Sequence, residues 1–77
     1  MFILETRNLL AIDATGIRTL EDLFIRLTGQ GTRFIISGIH KQPLHALTQS
    51  GLIDRIGEEN LFGTIAEAIA AMREEET

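Results

Sequence analysis

The stretch Ala11-Ile12-Asp13-Ala14-Thr15-Gly16 separates a predicted strand from a predicted helix, and it decides the fold. Before it, Met1 to Leu4 form a wholly apolar run, which predicts a short strand buried on both faces, as parallel strands are. After it, apolar residues recur at the spacing of a helix, at Ile17, Leu20, Leu23, Phe24 and Leu27. We therefore expect a helix over 15–28, ended by the glycines that follow it.

A second apolar run predicts a second buried strand. Phe34, Ile35 and Ile36 are consecutive within the segment 33–37, and Gly38 closes it. The order strand, helix, strand predicts a parallel pair with the helix packed on one face of the sheet. Pro43 fits the first turn of a short helix that follows.

The last third of the chain predicts shorter elements. Residues 54–59 are expected to form a surface turn, and residues 60–62 either a brief strand or an extended link. Thr64 and Glu67 match a capping box, so a last helix starts there. Its predicted core stripe is Ile65, Ala68, Ile69 and Met72, and the acidic run 74–76 is expected to be a solvated end. The predicted fold class is α/β, with a small, mostly parallel sheet and helices packed on it.

Composition excludes several classes of function. The 77 residues suffice for one small domain, and the lack of cysteine excludes disulfides, thiol nucleophiles and cysteine-ligated zinc. The formal net charge is −4. Residues 1–57 carry six basic and five acidic side chains, whereas residues 58–77 carry one basic and six acidic side chains. This balance, without Trp or Tyr, argues against nucleic acid as a partner. Charges interrupt every apolar stretch and the start is no signal peptide, so we expect no direct membrane insertion and a cytoplasmic setting.

The 11–16 loop is the candidate site, because ligands of open α/β sheets bind at the carboxyl ends of the strands. Two interpretations remain open on the residues alone. In the first, Asp13 or Thr15 caps the helix and Gly16 permits close approach of the helix to the strand. In the second, the first helical N–H groups bind a phosphate or a carboxylate of a partner. His40 and His45 are expected to be solvated surface residues without a metal, and no catalytic nucleophile motif is present.

Three stretches in this order resemble the STAS domain, the family of sulfate transporters and anti-sigma factor antagonists. They are residues 11–16, the segment Arg33-Phe34-Ile35-Ile36-Ser37-Gly38, and the segment Ser50-Gly51-Leu52-Ile53-Asp54-Arg55-Ile56-Gly57-Glu58-Glu59-Asn60-Leu61-Phe62. The last stretch is most similar to the C-terminal domain of sulfate-permease-type anion transporters. In the antagonists a phosphorylated serine directly follows the aspartate, and here that position is Ala14, which has no oxygen to accept a phosphoryl group.

The resemblance implies a truncated STAS-like domain over residues 1–77, the C-terminal portion of the usual domain with the N-terminal strands missing. Dimerisation through the unpaired first strand is then expected. The implied function is a non-catalytic regulatory or protein-interaction module, without a cofactor, that is cytoplasmic and tethered to a transporter. Its partner, a transporter, an anti-sigma factor or another cytoplasmic protein, would contact Asp13, Ala14, Thr15, Gly16, Ile17 and Arg18. The resemblance also admits nucleotide or anion contact there. The alternative is a free-standing anti-sigma factor antagonist with Thr15 as phosphoacceptor.

Overall fold

A computed structural model describes residues 1–76 of the chain, apart from the side chain of Glu76. These residues form three strands, four α-helices and one short 3₁₀ turn. In chain order they are β1 (Phe2–Glu5), α1 (Ala14–Gly29), β2 (Phe34–Ser37), α2 (Lys41–Gln49), α3 (Leu52–Ile56), a 3₁₀ turn (Glu58–Asn60), β3 (Leu61–Phe62) and α4 (Ile65–Glu76). The expected α/β class is confirmed, and the residues at 60–62 include a two-residue strand.

The strands form one parallel sheet in the order β1-β2-β3. Phe2 pairs with Phe34 and Glu5 with Ser37 along β1 and β2, while Ile36 pairs with Leu61 in β3. The predicted parallel pair of the first two strands is therefore confirmed. Since all three strands run the same way, their carboxyl ends meet at one edge of the sheet, called here the carboxyl edge, and their starts meet at the amino edge.

The core lies mainly on one face of the sheet. Phe34 and Ile36 of β2 point to this face and pack against residues of the first three helices, with the Phe24 ring edge-on to Phe34 at 5.6 Å between centroids. The buried members of this cluster are Leu20, Phe24, Phe34, Ile36, Leu47, Leu52, Ile53 and Ile56. Ile35 alternates to the opposite face, where α4 packs on β2 and buries Ala68. Helices thus cover both faces of β2.

The predicted surface turn over 54–59 is wrong in part. Residues 52–56 form the short helix α3, and Leu52, Ile53 and Ile56 are all buried. The two glycines that flank it, Gly51 and Gly57, both have positive φ and turn the chain sharply on either side. Their spacing leaves too few residues for a regular helical pattern to be recognised in the sequence, and the burial of the three apolar residues stabilises the turn of helix.

The start of α4 follows the predicted capping box with one change. The Thr64 hydroxyl accepts the Glu67 N–H at 3.1 Å, as expected, but the Glu67 carboxylate accepts the N–H of Gly63 at 3.2 Å instead of that of Thr64. Ala68 is buried as predicted, but Ile65 is 39% exposed, so its predicted place in the core stripe is wrong. Ile65 lies in the first turn of α4, beyond the end of the two-residue strand β3.

A polar cluster joins the elements at the amino edge. The Arg33 guanidinium donates to Asn60 Oδ1 at 2.6 Å, donates to the Glu59 carbonyl oxygen and forms an ion pair with Glu75 near the end of α4. Asn60 in turn donates to the Ile56 carbonyl oxygen at 2.6 Å. Glu75 is therefore not simply solvated as the sequence suggested. Over residues 1–76, none of the helices combines the length and the apolar character needed to cross a bilayer.

Candidate functional site

Three helices begin at the carboxyl edge. The segment after β1 leads to α1, the segment after β2 leads to α2, and Gly63 and Thr64 lead from β3 to α4. The first residues of these helices thus lie on the edge where open α/β sheets bind ligands. The predicted site, residues 13–18, forms the first turns of α1.

Asp13 is the N-cap of α1. Its Oδ1 accepts the Gly16 N–H at 2.8 Å, and its carbonyl oxygen accepts the Ile17 N–H at 2.9 Å. The capping interpretation is therefore confirmed for Asp13 rather than Thr15. An anion is a poorer occupant of this helix start than a protein surface, because the Asp13 carboxylate already uses a first-turn N–H and would repel a second negative charge.

Gly16 permits a close approach, but not the one that the sequence suggested. A Cβ at this position would lie 2.8 Å from Cγ1 of Ile12, so the glycine accommodates a side chain of the preceding loop rather than the strand. Ile12 is half-buried and packs on the core. The glycine thus lets the loop fold back tightly over the first turn of α1.

The remaining predicted residues divide into inward and outward groups. Ile17 is half-buried and packs on the core, so its side chain does not belong to the exposed surface. Ala14, Thr15 and Arg18 are exposed and line a small depression on the first turns of α1. The Thr15 carbonyl oxygen accepts the hydroxyl hydrogen bond of Thr19 at 3.0 Å. Neither the Thr15 hydroxyl nor the Arg18 guanidinium bonds to another residue within the described part of the chain.

Gln42 is a structural residue of the site that the sequence did not indicate. Its Oε1 accepts the Ile12 N–H at 2.9 Å and its Nε2 donates to the Ile12 carbonyl oxygen at 3.5 Å. This side chain therefore ties the start of α2 to the loop before α1. The only signal in the sequence was a polar residue in the first turn of a helix at the correct edge, which by itself predicts nothing about a contact across 30 residues.

Buried polar residues fix the carboxyl ends of β1 and β2. Thr6 Oγ1 donates to the Ser37 carbonyl oxygen at 2.9 Å, and Ser37 Oγ donates to the Glu5 carboxylate at 3.1 Å. The other oxygen of that carboxylate accepts the Arg7 N–H at 2.7 Å. Gly38 follows with φ of +69°, which favours glycine, and a Cβ there would displace the Glu5 carboxylate, whose Oε1 would lie 2.6 Å away.

The two histidines are both exposed. The His40 ring nitrogen Nε2 contacts the Arg7 carbonyl oxygen, so His40 holds the loop after β1 against the start of α2. Across residues 1–76 there is no group of three or more His, Asp or Glu side chains with the arrangement of a metal site. The structure thus gives His40 a positioning contact in the loop.

Comparisons with known proteins point to one family. The STAS domain profile matches residues 1–68. The chain is 32% identical over 69 residues to the low affinity sulfate transporter 3 of Stylosanthes hamata, a match that covers 90% of the chain and 11% of the transporter. These sulfate transporter matches do not favour the alternative of a free-standing anti-sigma factor antagonist.

Two solved structures share the fold. A sulfate transporter family protein from Wolinella succinogenes superposes with a TM-score of 0.92 at 35% identity, covering 99% of this chain and 63% of the other. The STAS domain of a SulP transporter from Vibrio cholerae superposes with a TM-score of 0.87 at 31% identity, covering 96% and 59%. The chain therefore spans about three fifths of these solved chains and about a tenth of the transporter.

Proposed function

The chain belongs to the STAS domain family, and on that premise we propose that it is a non-catalytic regulatory module that acts by binding a protein. It serves a sulfate-permease-type anion transporter on the cytoplasmic side of the membrane. Its contact surface is the exposed part of the 13–18 turn together with the loop before it. The relatives that carry this domain are sulfate transporters, which supports the transporter setting.

One observation above all supports this function. The carboxyl edge is held in shape by hydrogen bonds within the chain, while the side chains of Thr15 and Arg18 on the exposed turns of α1 have no partner among residues 1–76. Asp13 orients the turn as its cap. Thr15 and Arg18 remain available for an incoming surface, one as a hydroxyl donor or acceptor and the other as a fork of guanidinium donors. A rigid turn with available polar groups suits protein recognition, since little order is lost on binding.

Catalysis finds less support at this edge. Asp13, the acid of the candidate loop, already bonds to the Gly16 N–H and is exposed to solvent. A general base or nucleophile works best in a site that excludes water and aligns a second group. The depression on the first turns of α1, lined by Ala14, Thr15 and Arg18, is small and contains no such pair. We therefore assign no catalytic residue.

Homodimerisation through β1 is part of the proposal. The Phe2 N–H donates to the Arg33 carbonyl oxygen and the Thr6 N–H to the Ser37 carbonyl oxygen, both at 2.9 Å, so these groups face β2. Because backbone groups alternate along a strand, those of Ile3 and Glu5 point to the opposite side, where no strand within residues 1–76 pairs with β1. Phe2, Ile3 and Leu4 are also only half-buried. A second β1 in antiparallel orientation would satisfy these groups.

Light scattering coupled to size exclusion tests the dimer. We expect a dimer whose fraction rises with concentration, and a monomer for Ile3→Pro, because proline at this position removes an N–H that points away from β2. A parent chain that stays monomeric throughout the micromolar to millimolar range would contradict the dimer. Circular dichroism of Ile3→Pro confirms that the monomer is folded.

Site-specific photo-crosslinking tests the module itself. A photoreactive amino acid replaces Thr15 in the chain expressed in its own cells, and Thr48, an exposed threonine near the far end of α2, serves as the matched control. We expect a sulfate-permease-type transporter to be crosslinked from position 15 and not from position 48. Equal yields from both positions, or no transporter from position 15, would contradict the function.

A further inference from the structure

An apolar segment lies exposed beside the proposed site. Leu9, Leu10 and Ala11, called here the leucine tip, precede the cap of α1. Leu10 is 71% exposed, the highest value among the large hydrophobic side chains of residues 1–76, and Leu9 is 37% exposed. Burial of a leucine from water is favourable by roughly 25 cal/mol per Å² of apolar surface. The tip therefore gains stability from any apolar surface that covers it.

The leucine tip is held on both sides by hydrogen bonds. On one side the Leu9 N–H bonds to the Thr6 carbonyl oxygen at 2.9 Å. On the other side the amide of Gln42 bonds to both backbone groups of Ile12. A loop fixed in this way loses little conformational entropy when a partner binds. The two leucines are therefore exposed on a backbone that is already ordered before a partner binds.

A shallow groove adjoins the tip. Leu9, Ala11, Ile12, Asp13 and Gly16 line it, so its wall is mostly apolar with one carboxylate at the margin. A groove of this kind accepts an apolar side chain from a partner while Leu10 packs on the partner's surface. Such mutual insertion is characteristic of an amphipathic helix that lays its apolar face on a protein surface.

Three cations lie at the same edge of the sheet as the tip, and their side chains have no partner among residues 1–76. Arg7 lies just before it, Lys41 follows His40, which contacts Arg7, and Arg18 lies on the second turn of α1. All three are exposed, and none forms a hydrogen bond through its side chain or an ion pair with another described residue. Each can therefore pair with a carboxylate on a bound helix.

The charges at this edge favour a protein over an anionic bilayer. Glu5, Asp13 and Glu67 lie at the same edge, and each carboxylate accepts a backbone N–H of the chain. Three carboxylates offset the three cations, so a uniformly negative surface experiences no net attraction beyond a Debye length of about 8 Å. Individual carboxylates on a helix, in contrast, can pair with the three cations, which have no partner among residues 1–76, whereas the three acids already accept backbone N–H groups.

We propose that the leucine tip and its groove bind an amphipathic helix of the partner protein, with carboxylates on both sides of its apolar face. Leu10 is the main apolar contact, and Arg7, Arg18 and Lys41 pair with the flanking carboxylates. This inference rests on the proposed function, since it names the chemistry of the partner that the same edge recognises.

The test uses a synthetic helical peptide with a leucine face flanked by glutamates, titrated into the isotopically labelled full chain. We expect amide shifts confined to residues 7–18 and the start of α2. Leu10→Ser should weaken binding by about tenfold or more, because the peptide then covers a polar group instead of a leucine. Ile25→Ser is the control, because Ile25 lies on α1 and is 49% exposed, and this change should leave binding unchanged. The same peptide with lysines in place of the glutamates should bind at least tenfold more weakly.

Several results would overturn the inference. The first is equal binding of the glutamate and lysine peptides by the parent chain. The second is equal binding of the glutamate peptide by Leu10→Ser and by the parent chain. The third is Leu10-dependent binding to phosphatidylcholine–phosphatidylglycerol vesicles by a chain that does not bind the glutamate peptide. Transporter capture through position 15 that is unaffected by Leu10→Ser would overturn it and leave the proposed function intact. Failure of capture from position 15 in the parent chain would instead count against the proposed function itself.

Discussion

The side-chain amide of Gln42 bonds to Ile12 in both directions, accepting its N–H at 2.9 Å and donating to its carbonyl oxygen at 3.5 Å. An amide side chain thereby substitutes for a neighbouring strand at the loop before α1. The exposed loop before α1 therefore keeps a fixed backbone path, although no neighbouring strand pairs with it. The shape of the proposed contact surface therefore depends on a residue from another helix.

Removal of this side chain is predicted to loosen the loop without unfolding the domain. Gln42→Ala leaves the Ile12 N–H open to solvent, so hydrogen exchange of that amide should accelerate by about tenfold, as expected for the loss of roughly 1.4 kcal/mol of local protection. Gln49→Ala, at an exposed glutamine at the end of α2, is the control and should leave the Ile12 amide unaffected. An unchanged exchange rate in Gln42→Ala would show that the contact does not order the loop.

The cap of α1 is predicted to depend on the Asp13 side chain. Asp13→Ala should lower the free energy of unfolding by about 1 kcal/mol, because the Gly16 N–H loses its acceptor. Asp13→Asn should restore most of the loss, since an amide oxygen also accepts this bond. The measurement is urea denaturation, with Asp22→Ala on the exposed face of α1 as the control. Equal stabilities of Asp13→Ala and the parent chain would contradict the capping assignment.

Two glycines of α1 are predicted to respond in opposite directions to alanine. A Cβ added at Gly29 would meet no atom within 4 Å, so Gly29→Ala should stabilise the chain by about 0.5 kcal/mol through lower unfolded-state entropy. At Gly16 the Cβ would meet Ile12 Cγ1 at 2.8 Å, so Gly16→Ala should destabilise by about 1 kcal/mol or more as the loop shifts. Thermal unfolding of both variants decides this, and a stabilising Gly16→Ala would mean that the loop does not pack tightly there.

The Arg33 cluster at the amino edge is predicted to require the guanidinium shape. Arg33→Lys should cost about 1 kcal/mol, because an ammonium group cannot reach Asn60, Glu59 and Glu75 together. Glu75→Gln should cost only a few tenths of a kcal/mol, roughly as expected for an exposed pair, and less in high salt. Arg26→Lys, on the exposed end of α1, is the control. If Arg33→Lys and Arg26→Lys unfold at the same urea concentration, the cluster does not stabilise the fold.

Periodicity predicted the elements that bury long apolar runs. The helix expected at 15–28 is found at Ala14–Gly29, and the run Phe34-Ile35-Ile36 forms the central strand, buried on both faces. The helix α3 was missed, because five residues between two positive-φ glycines are too few to show a period. Ile65 was misplaced, since helical spacing alone does not indicate where a neighbouring strand ends.

For the candidate site, the sequence predicted the local cap of α1 but not the contacts between residues far apart in the chain. The cap at Asp13 is a local feature that depends on residues three apart, and such spacing can be recognised in a sequence. The contacts of Gln42 with Ile12 and of His40 with Arg7 join residues about 30 positions apart, and only the folded sheet edge brings them together. The leucine tip was also missed, because two leucines in a loop resemble the start of an apolar run until their exposure is known.

Hydrogen exchange of the full chain, alone and bound to the transporter captured through position 15, tests the central claim most directly. If the carboxyl edge is the contact surface, exchange should slow in residues 7–18 and at the start of α2, and stay unchanged at the Arg33 cluster and the second half of α4. Slower exchange along α4 or at the amino edge, with residues 7–18 unchanged, would contradict the account.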